Sequence, residues 1–439
     1  MKTRILFIVL TITLLLVGLV GCGIPEETDK LVLYTSDNGC ASLLNPAVEI
    51  FRNLYPDVEV TYEVVDPDTY QTMIREEVPA GQGPDLVLLQ NKTLPDLYKT
   101  MSSGVFEDLN RYFDKDEEID LADFVGPVME AGVLKGKRTL VPLTYEVSLL
   151  LTTESILDEI GMTADELETC DGFYEGAVRF REIYPDATLF FDTCGGYYPY
   201  VSDIQSLYRN FGFDFIDHKT NKVQIDEERF RQCIDLVKLY YDPDYDITDE
   251  SKILDIEDYQ HGAGLVYKLF PYDDFCASSY ILYRRSSGLL SANEESPVLL
   301  LPQNQRGGVT AELGISAAIP KSSENKANAW KLLKILLSVE IQGGHDKENY
   351  NYSYIWSGYP VRLSSTKDAL NLGRSKTPNG PAFDDYVALV QSPTEAVLIP
   401  PFYRQTVSEQ FMPYIEGEKT WDECYASFVD VLNTYRKSK

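Results

Sequence analysis

From Leu31 to Leu89 the chain reads LVLYTSDNGCASLLNPAVEIFRNLYPDVEVTYEVVDPDTYQTMIREEVPAGQGPDLVLL. Leu31 to Thr35 is an apolar run suited to a buried strand. Asn45-Pro46 predicts a helix start, with a capping residue followed by proline at the first helical position. Ala47, Ile50, Phe51 and Leu54 then follow at helical spacing until Tyr55-Pro56 stops the helix. Val58, Val60, Tyr62 and Val64 alternate with polar residues, which is the period of a half-buried strand. A second helix is expected over Thr69 to Val78, a turn at Ala80 to Pro84, and a third strand at Asp85 to Leu89. Because it opens that strand, Asp85 is expected to organise the Gly-Pro turn. Strand, helix, strand, helix, strand in this order predicts an α/β fold, with a parallel sheet and helices on both faces.

The rest of the chain extends this pattern. Short strands are expected at Thr139 to Pro142, Val147 to Leu151, Gly264 to Leu269, Val298 to Leu301 and Ile315 to Ile319. Helices are expected at Glu227 to Tyr241, Ser323 to Leu337, Tyr386 to Gln391 and Trp421 to Tyr435. In the second of these Ala327, Trp330, Leu333 and Leu337 share one side, which reads Trp330 as core. The 439 residues give a prior of two to three domains at ~150 residues each. With 44% apolar and 25% charged residues, a wholly disordered chain is excluded. A net charge of −30 repels phosphate backbones and argues against a nucleic-acid partner. His218, His261 and His345 are far apart, so a His-rich metal site is not expected.

The first residues read as a leader. Lys2 and Arg4 precede an uncharged run from Ile5 to Val20, shorter than the roughly 20 residues of a permanent membrane span. Leu19-Val20-Gly21-Cys22 resembles the bacterial lipoprotein box, in which the cut falls before the cysteine and its sulfur carries lipid. This implies a signal peptide over 1–21, lipidation at Cys22, a tether over 22–29 and a body held outside the cell on the bilayer. Cys40, Cys170, Cys194, Cys233, Cys276 and Cys424 remain. An oxidising location permits disulfides among them, and buried free thiols are the alternative.

Several stretches together resemble the extracellular solute-binding proteins of ABC importers, in particular the sugar-binding branch. They are Phe51-Arg52-Asn53-Leu54-Tyr55-Pro56-Asp57-Val58-Glu59-Val60, the turn Pro79 to Val87, and the crossing segment Val141-Pro142-Leu143-Thr144-Tyr145. Leu313 to Pro320 with Asn325 to Trp330 resembles the return passage, and Gly358-Tyr359-Pro360-Val361 a late segment. The likeness spans nearly the whole mature chain and is thin between about Gly172 and Gln260. It implies a two-lobed periplasmic-binding-protein-like fold of type II, with a cleft between lobes joined at a hinge. The first lobe would hold residues 30–142 plus 312–342, and the second 143–311 plus 343–439. The partners implied are a small polar solute, most simply a sugar, and ABC permease subunits in the membrane. A monomer without cofactor or metal is expected.

Ligands of open α/β sheets sit beyond the carboxyl ends of the strands. That rule points to Asp37 and Asn38 after the first strand, and to Gln90 and Asn91 after the third. Sugars need planar amides and carboxylates for their hydroxyls and aromatic rings for their apolar faces. Tyr145 and Glu146 follow the crossing segment, where the resemblance implies a position facing the cleft, with hinge packing as the alternative. Tyr197 and Tyr198 follow a Gly-Gly turn, Tyr272 and Asp273 follow the strand from Gly264, and Trp356 and Tyr359 precede Pro360. Trp421 has no clear role in the sequence.

Enzyme motifs are absent. No G-x-S-x-G elbow, Walker loop, H-E-x-x-H or paired C-x-x-C occurs. Asp114, Asp116 and Glu118 begin like a calcium loop, but Ile119 and Val125 stand where Gly and Glu are required. A secreted carbohydrate-active hydrolase needs only an acid pair, which a chain with 69 acidic residues does not exclude. A receptor that signals instead of feeding a transporter would have the same sequence features.

Overall fold

The computed structural model describes residues 29–36, 40–90, 93–94, 96–185, 188–191, 207–241, 264–269, 297–344, 358–372 and 383–437. Strand β1 (Lys30–Ser36), helix α1 (Cys40–Leu54), β2 (Glu59–Val65), α2 (Pro67–Glu77), β3 (Val87–Leu89) and α3 (Leu97–Ser103) alternate as expected. Next come β4 (Val141–Pro142), β5 (Thr144–Val147) and β6 (Leu149–Thr153), then α4 (Cys170–Ile183), β7 (Thr188–Phe191), α5 (Glu227–Tyr240), β8 (Gly264–Leu269) and β9 (Pro297–Leu300). The chain returns through β10 (Thr310–Leu313), β11 (Ser316–Ala318) and α6 (Lys326–Leu336). It ends with β12 (Tyr359–Pro360), α7 (Phe383–Val390), β13 (Glu395–Val397), α8 (Pro401–Ile415) and α9 (Trp421–Lys437).

One helix start differs from expectation. Helix α1 begins at Cys40, not at Asn45, and carries Pro46 inside. A proline there removes one helical hydrogen bond. The buried stripe Cys40, Leu43, Leu44, Ala47, Val48 and Phe51 keeps one face on the core across it, and that burial outweighs the lost bond. Leu54, expected on the stripe, is 60% exposed.

The first sheet is mixed, where the sequence predicts a parallel one. Strands β1 and β2 run parallel, and an isolated bridge joins Leu33 to Leu86 in the same sense. Strand β3 instead pairs antiparallel with β11, which also pairs antiparallel with β4. The reversal follows from the chain path, since β11 returns only after the chain has passed through α4, α5 and β6 to β9 in the second lobe. Tyr70 of α2 fixes the helix to the sheet: its hydroxyl donates to the Leu88 carbonyl (2.8 Å) and accepts from the Leu88 N–H (3.1 Å). The Asp85 carboxylate does not hold the glycine turn. It accepts from the Val32 N–H (2.7 Å), the Ser323 hydroxyl (2.6 Å) and the Asn325 amide (3.0 Å), tying β1 to the residues before α6.

The described residues form two hydrophobic cores. The first gathers α1, α2, β1, β3, the crossing strands and α6; the second gathers α4, α5, α8 and α9 around Phe215, Phe230, Phe411 and Phe428. The lobe boundaries expected from the sequence place residues 343–439 with the second lobe. The cores divide that stretch: Tyr359, Val361, Ala369, Leu370, Tyr386, Val390 and Leu398 pack with the first core, and Tyr403 to Leu432 with the second. Trp330 is core as expected. Trp421 is core too, its indole N–H donating to Glu227 (3.0 Å) and its ring stacked on Tyr425. The acidic run at 114–118 is an ion-pair staple, with Asp116 accepting from Trp330 (2.8 Å) and from Lys334 (3.1 Å).

Two sheets join the lobes. The crossing sheet has the order β12-β5-β10-β13, and the second-lobe sheet the order β9-β6-β8-β7. Strands β5 and β6 are consecutive, so the chain steps from one sheet to the other between Val147 and Leu149.

Candidate functional site

The carboxyl ends of β1 and β3 lie on one edge of the first-lobe sheet, as the parallel bridge requires. Of the four residues expected there, Asp37, Asn38 and Asn91 lie outside the described residues. Gln90 is half-buried. Its backbone closes a turn: its N–H donates to the Thr93 hydroxyl (2.9 Å) and its carbonyl accepts from the Thr93 N–H (2.9 Å). Two buried hydroxyls near this edge, Thr35 Oγ1 and Ser316 Oγ, have no hydrogen-bond partner among the described residues. Ser316 is paired in register with Leu89, the last residue of β3. Buried polar atoms are rarely left unpaired, so two at one sheet edge mark it as a polar site.

The crossing sheet has one apolar and one charged face, because neighbours along a strand point to opposite sides. Tyr145 is fully buried on the apolar face, and its hydroxyl donates to the Val390 carbonyl of α7 (2.9 Å). Its ring lies 5.8 Å from that of Tyr359, whose hydroxyl shares a 2.7 Å bond with Tyr386. In this conformation the two rings pack the hinge and present no open face.

Glu146 points the other way. It is in register with Glu312 on β10, and carboxylates placed opposite one another repel. Arg209 of the second lobe relieves this. Its Nε donates to Glu312 (2.8 Å), and a second guanidinium nitrogen bonds the same oxygen. Glu312 first, and Glu146 to a smaller degree, hold this guanidinium above its usual range. Farther along the face Asn304 donates to Thr310 and to Glu395 (both 2.9 Å), and Arg306 bonds Glu395. Arg209, Glu312 and this second cluster were missed by sequence reasoning. Only the one-residue offset from Leu313 hinted that Glu312 faces the polar side. Tyr197, Tyr198, Tyr272, Asp273 and Trp356 lie outside the described residues, as does Cys22.

A groove of about 1160 Å³ opens between the lobes along β13. Tyr98, Pro127, Glu130 and Leu134 lie on its first-lobe wall, and Asp214, His218, Gln224 and Arg306 on the other. It lies at the β13 edge of the crossing sheet, whereas Tyr359 lies on β12 at the opposite edge. Of the described residues expected from sequence, Gln90, Tyr145, Glu146 and Tyr359, none lines it. Here the lobes touch. The Tyr98 ring stacks on His218 with centroids 3.5 Å apart, and its hydroxyl accepts from the Leu398 N–H (3.1 Å). Lys99 donates to the Tyr435 carbonyl (3.0 Å), and the Tyr435 hydroxyl to Asp96.

The stack includes a half-buried acid-base pair. Tyr403 donates to Asp214 (3.1 Å), and His218 Nε2 stands 4.0 Å from the same carboxylate. Burial pushes Asp214 up to about 7 and His218 down to about 4, so both favour their neutral forms. The consequences for stability oppose each other. Folded Asp214 keeps a proton that the unfolded chain gives up near pH 4, so acidification from 7 stabilises the fold through it. Folded His218 refuses a proton that the unfolded chain takes near pH 6.5, so acidification from 6.5 towards 4 destabilises through it. Asp214→Asn therefore leaves the His218 loss unopposed. Its stability is expected to fall more steeply than the parent's, by about 1.4 kcal/mol per pH unit between pH 6.5 and 4.5. Urea midpoints at these two pH values check this; equal slopes in parent and variant would refute it.

Residues 39–216 match the family described as bacterial extracellular solute-binding protein. No curated protein sequence matches the chain. Among solved structures, the sugar-binding protein MalE from Xanthomonas citri is similar at TM-score 0.65 and 15% identity, covering 93% of this chain and 97% of that one. The cyclic alpha-maltosyl-1,6-maltose binding protein from Arthrobacter globiformis follows at TM-score 0.61 and 15% identity, with 94% and 100% covered. An ABC substrate-binding protein from Listeria monocytogenes in complex with cycloalternan gives TM-score 0.58 at 15% identity, with 94% and 100% covered. Residues 39–216 thus carry the sequence pattern of the bacterial extracellular solute-binding family, and the chain as a whole has the two-lobed fold of solute-binding proteins.

Proposed function

We propose that this protein is the extracytoplasmic receptor of an ABC importer, capturing a carbohydrate between its lobes and delivering it to membrane permease subunits. The observation that carries the reading is the fold: two cores joined by crossing strands, shared with proteins whose described ligands are sugars. Binding would select the closed arrangement of the lobes, which the permease reads. The body would be a monomer tethered through lipid on Cys22 after loss of residues 1–21. No helix among the described residues is long and apolar enough to cross a membrane. The solute would meet Asp37, Asn38, Gln90 and Asn91 from one lobe and Glu146 at the hinge. Tyr197, Tyr198, Tyr272, Asp273 and Trp356 would supply ring faces and a carboxylate from the other side.

A hydrolase needs one carboxyl group able to donate a proton. Glu146 and Glu312 lie opposite one another, as an acid pair would. Glu312, however, has one carboxylate oxygen occupied by two guanidinium nitrogens of Arg209.

A thermal-shift screen of the chain from residue 23 against monosaccharides, malto-oligosaccharides and cyclic α-glucans tests the reading. At 100 times its dissociation constant a binder stabilises the fold by about 2.7 kcal/mol, a clear rise in midpoint. The sugar should be recovered unchanged. A sugar that is consumed replaces this reading with the hydrolase, and a screen without any shift overturns the sugar assignment. For the sugar that binds, Glu146→Gln is expected to weaken affinity by about 10-fold or more, the value of one hydrogen bond to a charged group. Calorimetric titration measures it; parent-like affinity would remove Glu146 from the site.

A further inference from the structure

Two thiols in the second core have no part in the proposed binding. Cys170 is the first residue of α4, and Cys233 lies midway along α5. Their sulfurs are 3.7 Å apart, in van der Waals contact. Cys170 is 8% exposed and Cys233 1%. The other near neighbours of the Cys170 sulfur are the Arg229 carbonyl at 3.7 Å and the Gln232 amide oxygen at 3.9 Å, weak acceptors for a thiol. The other described cysteines, Cys40 and Cys424, are also buried and free, but neither has a second sulfur beside it among the described residues.

We infer that Cys170 and Cys233 are a disulfide site, oxidised in the exported protein and clamping α4 to α5. A disulfide needs about 2.05 Å between sulfurs, so about 1.7 Å of approach must be shared by the two side chains. The oxidant is a disulfide of a small thiol or of an exported thiol oxidoreductase. The Cys170 thiolate, on the more exposed side, attacks one sulfur of that disulfide and releases the first thiol of the oxidant. The Cys233 thiolate then attacks the Cys170 sulfur of the mixed disulfide and releases the second. The pair loses two protons and two electrons, and both are found on the two thiols released. Burial pushes the Cys233 thiol well above the usual range, so Cys233 serves as the resolving partner. Cys170 and Cys233 close a long loop, which constrains the unfolded chain more than a short one does.

The inference rests on the extracytoplasmic reading, and the test separates the two. The full chain with its leader is produced in a secreting host, purified without reductant, denatured with iodoacetamide and digested. A peptide pair joining Cys170 to Cys233 is expected, two hydrogens lighter than the two thiol peptides together and split by reductant. In parallel, the reduced folded chain is incubated with oxidised glutathione, which should form the same link and release two glutathiones per bond. The thermal midpoint of the oxidised parent should drop by several degrees on reduction, and that of Cys233→Ser should not. If both cysteines stay alkylatable after glutathione, the site is refuted on geometry. A link that forms with glutathione but is absent from the exported chain also overturns the inference, and places the failure in the location instead. A bond from Cys170 to Cys194 or Cys276 refutes the pairing.

Discussion

Replacing Gly358 by alanine is expected to lower stability by about 3 kcal/mol or more and to abolish solute binding with it. Gly358 has φ +114°, a region that residues with a side chain rarely enter, at a cost of about 1–3 kcal/mol. Contact adds to this conformational cost. A Cβ at Gly358 would stand 2.5 Å from the Tyr145 carbonyl oxygen and 3.0 Å from its carbon. Both atoms are backbone of β5, so no side-chain rotation relieves the clash. The chain must move, and what moves is the pairing of Tyr359 with Tyr145 and of Pro360 with Thr144. Tyr359 is 1% exposed and bonded to Tyr386, so separating β12 also uncovers the apolar face of the hinge. Gly307→Ala is the control. Gly307 also has positive φ (+75°), but a Cβ there would meet no atom within 4 Å, so it isolates the conformational cost at about 1 kcal/mol. Urea unfolding of both variants, with titration of the sugar that shifts the parent, measures the difference. A Gly358→Ala protein as stable as Gly307→Ala would show that the β12 contact is not needed.

Local order is legible in the sequence where one period runs without interruption. The alternation in β2 up to Glu63, the stripe of α6 and the start of α5 after Asp226 all appear in the structure, although Val64, expected on the inward side, is exposed and Val65 turns inward instead. The start of α1 is obscured because Asn45-Pro46 has the form of a cap, while the apolar stripe that decides the matter begins earlier, at Cys40. The site is less legible, for a physical reason. Tyr145 and Glu146 are adjacent, and a strand turns one to the core and the other to the charged face; nothing in their order says which. The charge that governs the face, Arg209, is 103 residues from Glu312, and the ring stacked on Tyr98 is 120 positions away at His218. Pairings of this kind come from chain topology, and no spacing rule reaches them.

Asp85→Ala is expected to destabilise the first lobe by about 4 kcal/mol. Asp85 looks like a turn residue, following two glycines and a proline, yet its carboxylate reaches away from them. Val32 and Asp85 exchange two bonds: the Asp85 N–H donates to the Val32 carbonyl (2.7 Å), and the Val32 N–H to the Asp85 carboxylate (2.7 Å). Ser323 and Asn325 donate to the remaining lone pairs, so one buried side chain joins β1, the approach to β3 and the approach to α6. Each hydrogen bond to a charged group contributes about 1.5–3 kcal/mol, and bonds sharing one acceptor are not additive. Alanine loses all three and leaves the Val32 N–H in the sheet without its acceptor, which has its own desolvation cost. Asparagine keeps one acceptor oxygen and turns its amide towards Ser323, whose hydroxyl is able to accept in its place. Asp85→Asn is therefore expected to lose about half as much as alanine, and Ser323→Ala, which breaks one bond, about 1–2 kcal/mol. Urea midpoints rank the three variants, and amide exchange at Val32 locates the effect: its protection should collapse in Asp85→Ala and persist in Ser323→Ala. A loss below about 1 kcal/mol in the alanine variant, less than one such bond contributes, would mean that the carboxylate only fills space. The expected ranking would mean that the sheet of the first lobe is held to the returning chain by one charge.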